Sequence, residues 1–220
     1  MKRIVALVVI LTAGAVMAQV PDGAQQAEIT FSVANPNVEP AHYSLTIRED
    51  GTGEYKATYT PSGQDTAAAP VNRPIRVHDP LLSEAFAVAR KDHFFAMNCR
   101  GHHPKVAFSG EKTLTYSGPD GKGSCTLNFS QKKEINDVTS KLMAVAYTLA
   151  IGSELKREHR YDRLSLDSEL SSLEEAVQNR QALELGNIAP TLESIAADGT
   201  VMDRARARAK KLLHEASVTR

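Results

Sequence analysis

The stretch YSLTIREDGTGEYKATY, residues 43–59, decides the fold class. Tyr43, Leu45 and Ile47 alternate with Ser44, Thr46 and Arg48, and Tyr55, Ala57 and Tyr59 alternate with Glu54, Lys56 and Thr58. A period of two places one set on a buried face and the other in solvent, as a half-buried strand requires. Between the two runs lies Asp50-Gly51-Thr52-Gly53. Glycine supplies the positive φ of a tight hairpin turn without a Cβ clash, so these residues predict two antiparallel strands.

The same period extends outward. Ile29, Phe31 and Val33 alternate with polar neighbours, predicting a strand from Glu28 to Val33 that ends at the Asn35-Pro36-Asn37 turn. After the loop 61–70, a short extended piece is expected from Pro74 to His78. Asp79 and Pro80 then read as N-cap and first residue of a helix carrying Leu82, Ala85, Phe86 and Ala89 on one face and ending near Phe94 or Phe95. Three further strands are predicted at Val106–Phe108, Lys112–Ser117 and Ser124–Phe129. The last two are joined by the glycine-rich tip 118–123, which lacks the spacing of a phosphate loop and reads as a hairpin turn.

From Lys132 the pattern becomes helical. Ile135, Val138, Leu142, Val145 and Leu149 form one apolar stripe, with Gly152 a place to weaken or bend the helix. Asp167 is a candidate cap for a second helix bearing Leu170, Leu173 and Val177. A third is expected at Ile188–Ala197, and Thr200 with Asp203 resembles a capping box for a last helix through Ala216. The fold class is therefore α+β: an antiparallel sheet of hairpins with one inserted helix, then a C-terminal segment of three to four helices. In chain order this gives a signal peptide at 1–18, an α+β part at 19–131 and a helical region at 132–220.

The signal reading rests on Lys2 and Arg3, the apolar run from Ile4 to about Ala13, and small residues before a cut between Ala18 and Gln19. The run falls short of the roughly 20 residues that span a bilayer. Export into the periplasm or beyond is expected, with no membrane span after cleavage. The 220 residues carry 26 basic and 26 acidic side chains, a balance that speaks against nucleic-acid binding.

Cys99 and Cys125 are an even pair in an oxidising compartment, so a disulfide is the expected state. Metal ligation competes, because His93, His102 and His103 lie close to Cys99 in sequence and zinc takes such ligands. That segment, with Arg100 and Lys105, is the densest polar constellation and the place to look first for chemistry. No HExxH, GxSxG or CxxC motif occurs. The remaining histidines, His42, His78, His159 and His214, are scattered, and the pairs Glu49-Asp50 and Glu174-Glu175 read as solvated carboxylates.

Residues 162–198 hold eight acidic and two basic side chains, and residues 201–220 hold six basic and two acidic. Arg204, Arg206 and Arg208 are therefore expected to pair with the acidic helices.

The order YSLTIREDGTGEY, a Phe-bearing helix, then FSGEKTLTYSG and SCTLNFS resembles exported bacterial domains of unknown function over residues 28–130. Helices within 167–216 resemble one helical-repeat unit of the HEAT type. Neither resemblance implies an activity, a cofactor or a functional residue. The expected function is that of an exported, non-catalytic binding or assembly module with a protein or cell-envelope partner and no cofactor. The alternative is a secreted or periplasmic metal-dependent enzyme or hydrolase using His93, His102 and His103. A third reading places an inhibitor or accessory surface on the hairpin tips 50–53 and 118–123.

Overall fold

Strands β1 (Glu28–Ala34), β2 (His42–Arg48), β3 (Thr52–Thr58) and β4 (Val71–Arg76) form an antiparallel meander. The chain then turns into helix α1 (Leu81–Lys91) and returns to the free edge of β1 as the hairpin β5 (Glu111–Gly118) and β6 (Gly121–Leu127). The sheet order is β4-β3-β2-β1-β5-β6, antiparallel throughout. Helices α2 (Lys133–Tyr161), α3 (Leu166–Gln178), α4 (Ala189–Ala197) and α5 (Asp203–Val218) complete the fold. These features come from a computed structural model that describes residues 26–59, 70–101 and 109–218. The expected cut at Ala18 and Gln19, the pair His102 and His103, and the strand predicted at Val106–Phe108 lie outside the described residues.

One face of the sheet is dry. Phe31, Leu45, Tyr55, Leu114 and Tyr116 are fully buried there, against Phe86 and Ala89 of α1 and Ile135, Leu142 and Leu149 of α2. A second core joins Leu155 of α2 to Leu170 and Leu173 of α3, Leu192 and Ile195 of α4, and Ala205 and Leu212 of α5. Helix α2 is 29 residues long, and Gly152 does not break it. A Cβ at Gly152 would lie 2.2 Å from Ile188 Cγ2, so glycine is there to let the 3₁₀ turn Leu185–Ile188 approach the helix.

The same turn closes the outer edge of β4. The Asn187 amide accepts from the Arg76 N–H at 2.8 Å and donates to the Arg76 carbonyl at 2.8 Å, standing in for a neighbouring strand. Glu184 accepts from the His78 N–H at 2.8 Å and meets the His78 ring Nδ1 at 2.7 Å. With Pro74 inside β4, this edge offers few free groups for pairing with another chain. The strand expected at Pro74–His78 runs instead over Val71–Arg76, where Val71 and Asn72 pair with Ala57 and Lys56, and beyond it the His78 amide is taken by Glu184.

Several helix ends differ from their sequence signals. Asp79 accepts from the Ser83 N–H at 3.0 Å, but α1 begins at Leu81. Asp167 does not cap α3; it receives Arg204 at 3.0 Å and Arg208 at 3.2 Å. Thr200 donates its N–H and hydroxyl to Asp198, at 2.9 and 2.6 Å, and so does not form the capping box with Asp203. Glu174, expected in solvent, is 8% exposed and receives Arg208 and Lys211. Arg204 and Arg208 thus pair with the acidic helix α3 as the charge distribution predicted, whereas Arg206 pairs with Asp203 of its own helix.

Glu158 of α2 is the exception to this pairing. It is 7% exposed, and its Oε2 has no hydrogen-bond partner among the described residues. Burial, reinforced by the charges of Glu169 and Glu154, pushes its carboxyl up from about 4.5 to about 7. The folded state thus holds this proton more tightly than the unfolded chain. The associated stability is complete below pH 4.5 and is lost as pH rises through about 7. Urea unfolding should show this group removing up to about 3 kcal/mol between pH 5 and 8, and Glu158→Gln should flatten that part of the profile. An unchanged profile in the variant would contradict the assignment.

Candidate functional site

The segment singled out by its histidines and cysteine is a strap over the end of the sheet. Helix α1 stops at Lys91, and His93, Phe94 and Phe95 follow with φ of 55°, 58° and 65°. Three consecutive non-glycine residues in the left-handed region cost roughly 1–2 kcal/mol each. Packing offsets that cost. Phe95 is fully buried, and the Phe94 ring lies 5.1 Å from that of Tyr116 over a place where β6 carries only glycine. A Cβ at Gly121 would meet Phe94 at 2.3 Å, and one at Gly123 would meet the Phe94 carbonyl at 2.5 Å. Buried Asp92 receives the Lys132 ammonium and fixes the turn to the start of α2. The helix end expected at Phe94 or Phe95 is therefore replaced by a left-handed turn.

Cys99 is bonded to Cys125 of β6, with Cα atoms 5.7 Å apart. Its sulfur is not free to bind metal, and His93 of the same segment is exposed. Arg100 lies 3.6 Å from Glu111 across a surface hollow. No group of three or more His, Cys, Asp or Glu among the described residues is placed to hold a metal ion.

The two hairpin tips come together at one end of the sheet, because Glu28 of β1 pairs with both Arg48 and Ser117. Arg90 of α1 ties them, at 2.7 Å from Glu49 and 2.7 Å from Asp120. Its guanidinium sits over the rings of Phe86 and Tyr116, and Tyr116 Oη donates to Asp120 at 2.5 Å. Arg90 and then Tyr116 hold the Asp120 carboxyl below its usual range. The second tip is also tighter than its sequence suggested, with Pro119 and Asp120 alone between the strands. Nothing in the sequence marked Arg90 for this role, since its two partners are 41 and 30 residues away.

The dispersed histidines divide in two. His78 and His159 each meet one carboxylate, Glu184 and Asp198, while His42 and His214 are exposed.

Among the described residues, no helix covers the other face of the sheet. Thr46, Thr30, Thr115 and Ser124 stand side by side in register across four strands, and Ser44, Ser32, Thr113 and Thr126 form a second rank two residues along. All eight are partly or fully exposed. Threonine suits this position because its β-branch favours the strand while its hydroxyl pairs across it. Thr30 meets Thr46 at 3.3 Å, Thr113 meets Thr126 at 3.2 Å, and Thr115 meets Ser124 at 2.9 Å. With strands about 4.8 Å apart and alternate residues about 6.8 Å apart, the ranks make a regular hydroxyl grid. At its margin Lys56 meets Glu54 at 2.6 Å and Arg48 meets Glu28 at 3.9 Å, while Arg76 and Lys122 have no ion pair among the described residues. The grid can exchange hydrogen bonds with an extended uncharged surface. The alternation of each strand was legible in sequence; the alignment of four strands' hydroxyls depends on β5 pairing with β1, which no local signal encodes.

No family model matches this chain, and comparison with curated proteins finds no relative.

If the strap is structural, its residues will read out in stability alone. Reduction of the Cys99–Cys125 bond, with 26 residues of separation, should lower unfolding free energy by about 3–4 kcal/mol. Phe95→Ala should cost about 3–5 kcal/mol. His93→Asn should be neutral or stabilising by up to about 1 kcal/mol, since asparagine tolerates the left-handed region better. Loss of bound metal or of an activity in His93→Asn, with stability intact, would instead make the segment a functional site.

Proposed function

We propose that this protein is an exported binding or assembly module that engages a cell-envelope partner through its open sheet face. The observation that carries this reading is the two-rank hydroxyl grid, which no described element covers while the opposite face of the same sheet is sealed by α1 and α2. Hydroxyls donate and accept equally, and the eight grid positions themselves carry no charge, so the chemistry suits a hydrogen-bonding partner such as a glycan strand of the cell wall. Export is supported by the tripartite segment 1–18 and is compatible with the disulfide. No described helix is long and apolar enough to cross a membrane.

The test is a triple variant, Thr30→Val, Thr113→Val and Thr115→Val, which removes three hydroxyls and keeps the β-branch. Its circular dichroism and unfolding midpoint should match the parent within a few degrees. Cosedimentation with purified cell-wall polymer should fall at least tenfold. Equal cosedimentation of the folded variant and the parent would contradict the reading. Intact mass of the protein recovered from culture should correspond to a start at Gln19.

A further inference from the structure

The C-terminal end of α2 and the first turns of α4 enclose a cleft of about 550 Å³, remote in sequence from the sheet face. Lys156, Arg160 and Arg163 enter it from α2 and the residues just beyond. Lys156 and Arg160 are one helical turn apart on α2, with His159 beside them, and Arg163 follows in the turn after the helix. From the other wall come Pro190, Thr191 and Ser194 of α4, followed by Asp198.

Among the described residues Asp198 is the one carboxylate in the lining, and it is already engaged. One of its oxygens accepts from the Thr200 N–H and hydroxyl, and the other meets His159 Nε2 at 2.9 Å and Arg163 Nη2 at 3.8 Å. The Thr200 hydrogen bonds, with that from His159, hold its carboxyl far below the usual range, so it stays a single negative charge. Lys156 has no carboxylate within ion-pair distance among the described residues, and Arg160 has only the Tyr161 ring, 5.2 Å away. Cations at a helix C-terminus complement its dipole, but that dipole amounts to about half a charge and does not balance three.

Helix α4 adds a neutral contact. It has nine residues and no side-chain N-cap; its Ala189 N–H is given to the Gly186 carbonyl and Pro190 has none, so what its first turn brings to the cleft is the side chain of Thr191. Ser194 does not form a Ser-His-Asp nucleophile with its neighbours, because its hydroxyl donates to the Pro190 carbonyl at 2.8 Å. The cleft therefore carries an excess of positive charge.

We propose that this cleft binds a phosphoryl group, with Lys156 and Arg160 as its principal cationic contacts and Thr191 of α4 as its neutral one. Three cations against one committed carboxylate leave two positive charges, which match a phosphate dianion better than a carboxylate. The volume exceeds what one phosphate fills and leaves room for the organic part of a monoester. A free phosphate monoester and a phospholipid headgroup share this chemistry.

The full mature protein would be titrated by calorimetry with inorganic phosphate and with glycerol 3-phosphate, and by flotation with vesicles containing phosphatidic acid. The variant is Lys156→Gln with Arg160→Gln, both exposed positions whose loss leaves the cores intact, and the control is Lys210→Gln on α5. Saturable binding that weakens at least tenfold in the double variant, and not in the control, is expected in one arm or both. Binding in the soluble arms identifies a free ligand, and binding to vesicles alone identifies the headgroup. No saturable binding in any arm, or equal loss in the control, would overturn the proposal.

Discussion

Helix α2 forms a wall of two hydrophobic cores, and the arrangement of every other element follows from that. Its first five turns present Ile135, Val138, Leu142, Val145 and Leu149 to the sheet, while Leu155 belongs to the core shared by α3, α4 and α5. A helix of 29 residues is about 43 Å long, enough to run past the end of the sheet and hold a second layer there. Gly152 marks the handover, because only a residue without a side chain lets Ile188 reach the helix axis at that point. The Arg73 guanidinium donates to the Leu149 carbonyl at 2.8 Å beside it, and the contacts of Asn187 and Glu184 with β4 and His78 close the seam. Sheet and helices are therefore joined by packing and by hydrogen bonds rather than by a linker.

This architecture separates two surfaces of opposite chemistry. The sheet turns an uncharged hydroxyl grid outward, with Arg48 and Lys56 at its margin paired to Glu28 and Glu54. The helical end gathers its charges into pairs, Arg208 with Asp167 and Glu174 and Arg204 with Asp167, but leaves Lys156 and Arg160 without carboxylate partners among the described residues. A protein with zero net charge can still present a strong local field when its compensating charges are placed elsewhere.

What could be read from sequence was what local periodicity and turn chemistry determine. Asp50-Gly51 sets the first hairpin, and the stripe from Ile135 to Leu149 sets the sheet-facing half of α2. The left-handed turn at His93–Phe95 carries no local signature, since its residues are poor at such φ values and are held there by Phe95 burial and the Phe94–Tyr116 contact. Asp167 and Thr200 look like helix caps, yet each has a better partner, Arg204 and Asp198, supplied by tertiary packing. The hydroxyl grid and the cationic cleft were invisible for the same reason. Each assembles residues from elements that meet only once β5 has paired with β1 or α4 has packed on α2.

The central claim is that α2 makes one cooperative body of the sheet and the helices. Native-state hydrogen exchange on the parent and on Gly152→Ala tests it most directly. An added methyl against Ile188 should cost about 1–3 kcal/mol through overpacking, despite the better helix propensity of alanine. The account predicts that amides near Leu142, facing the sheet, and near Leu155, facing the helices, open with the same free energy and lose the same amount in the variant. Loss confined to α3, α4 and α5, with exchange near Leu142 unchanged, would show two independent units and contradict it.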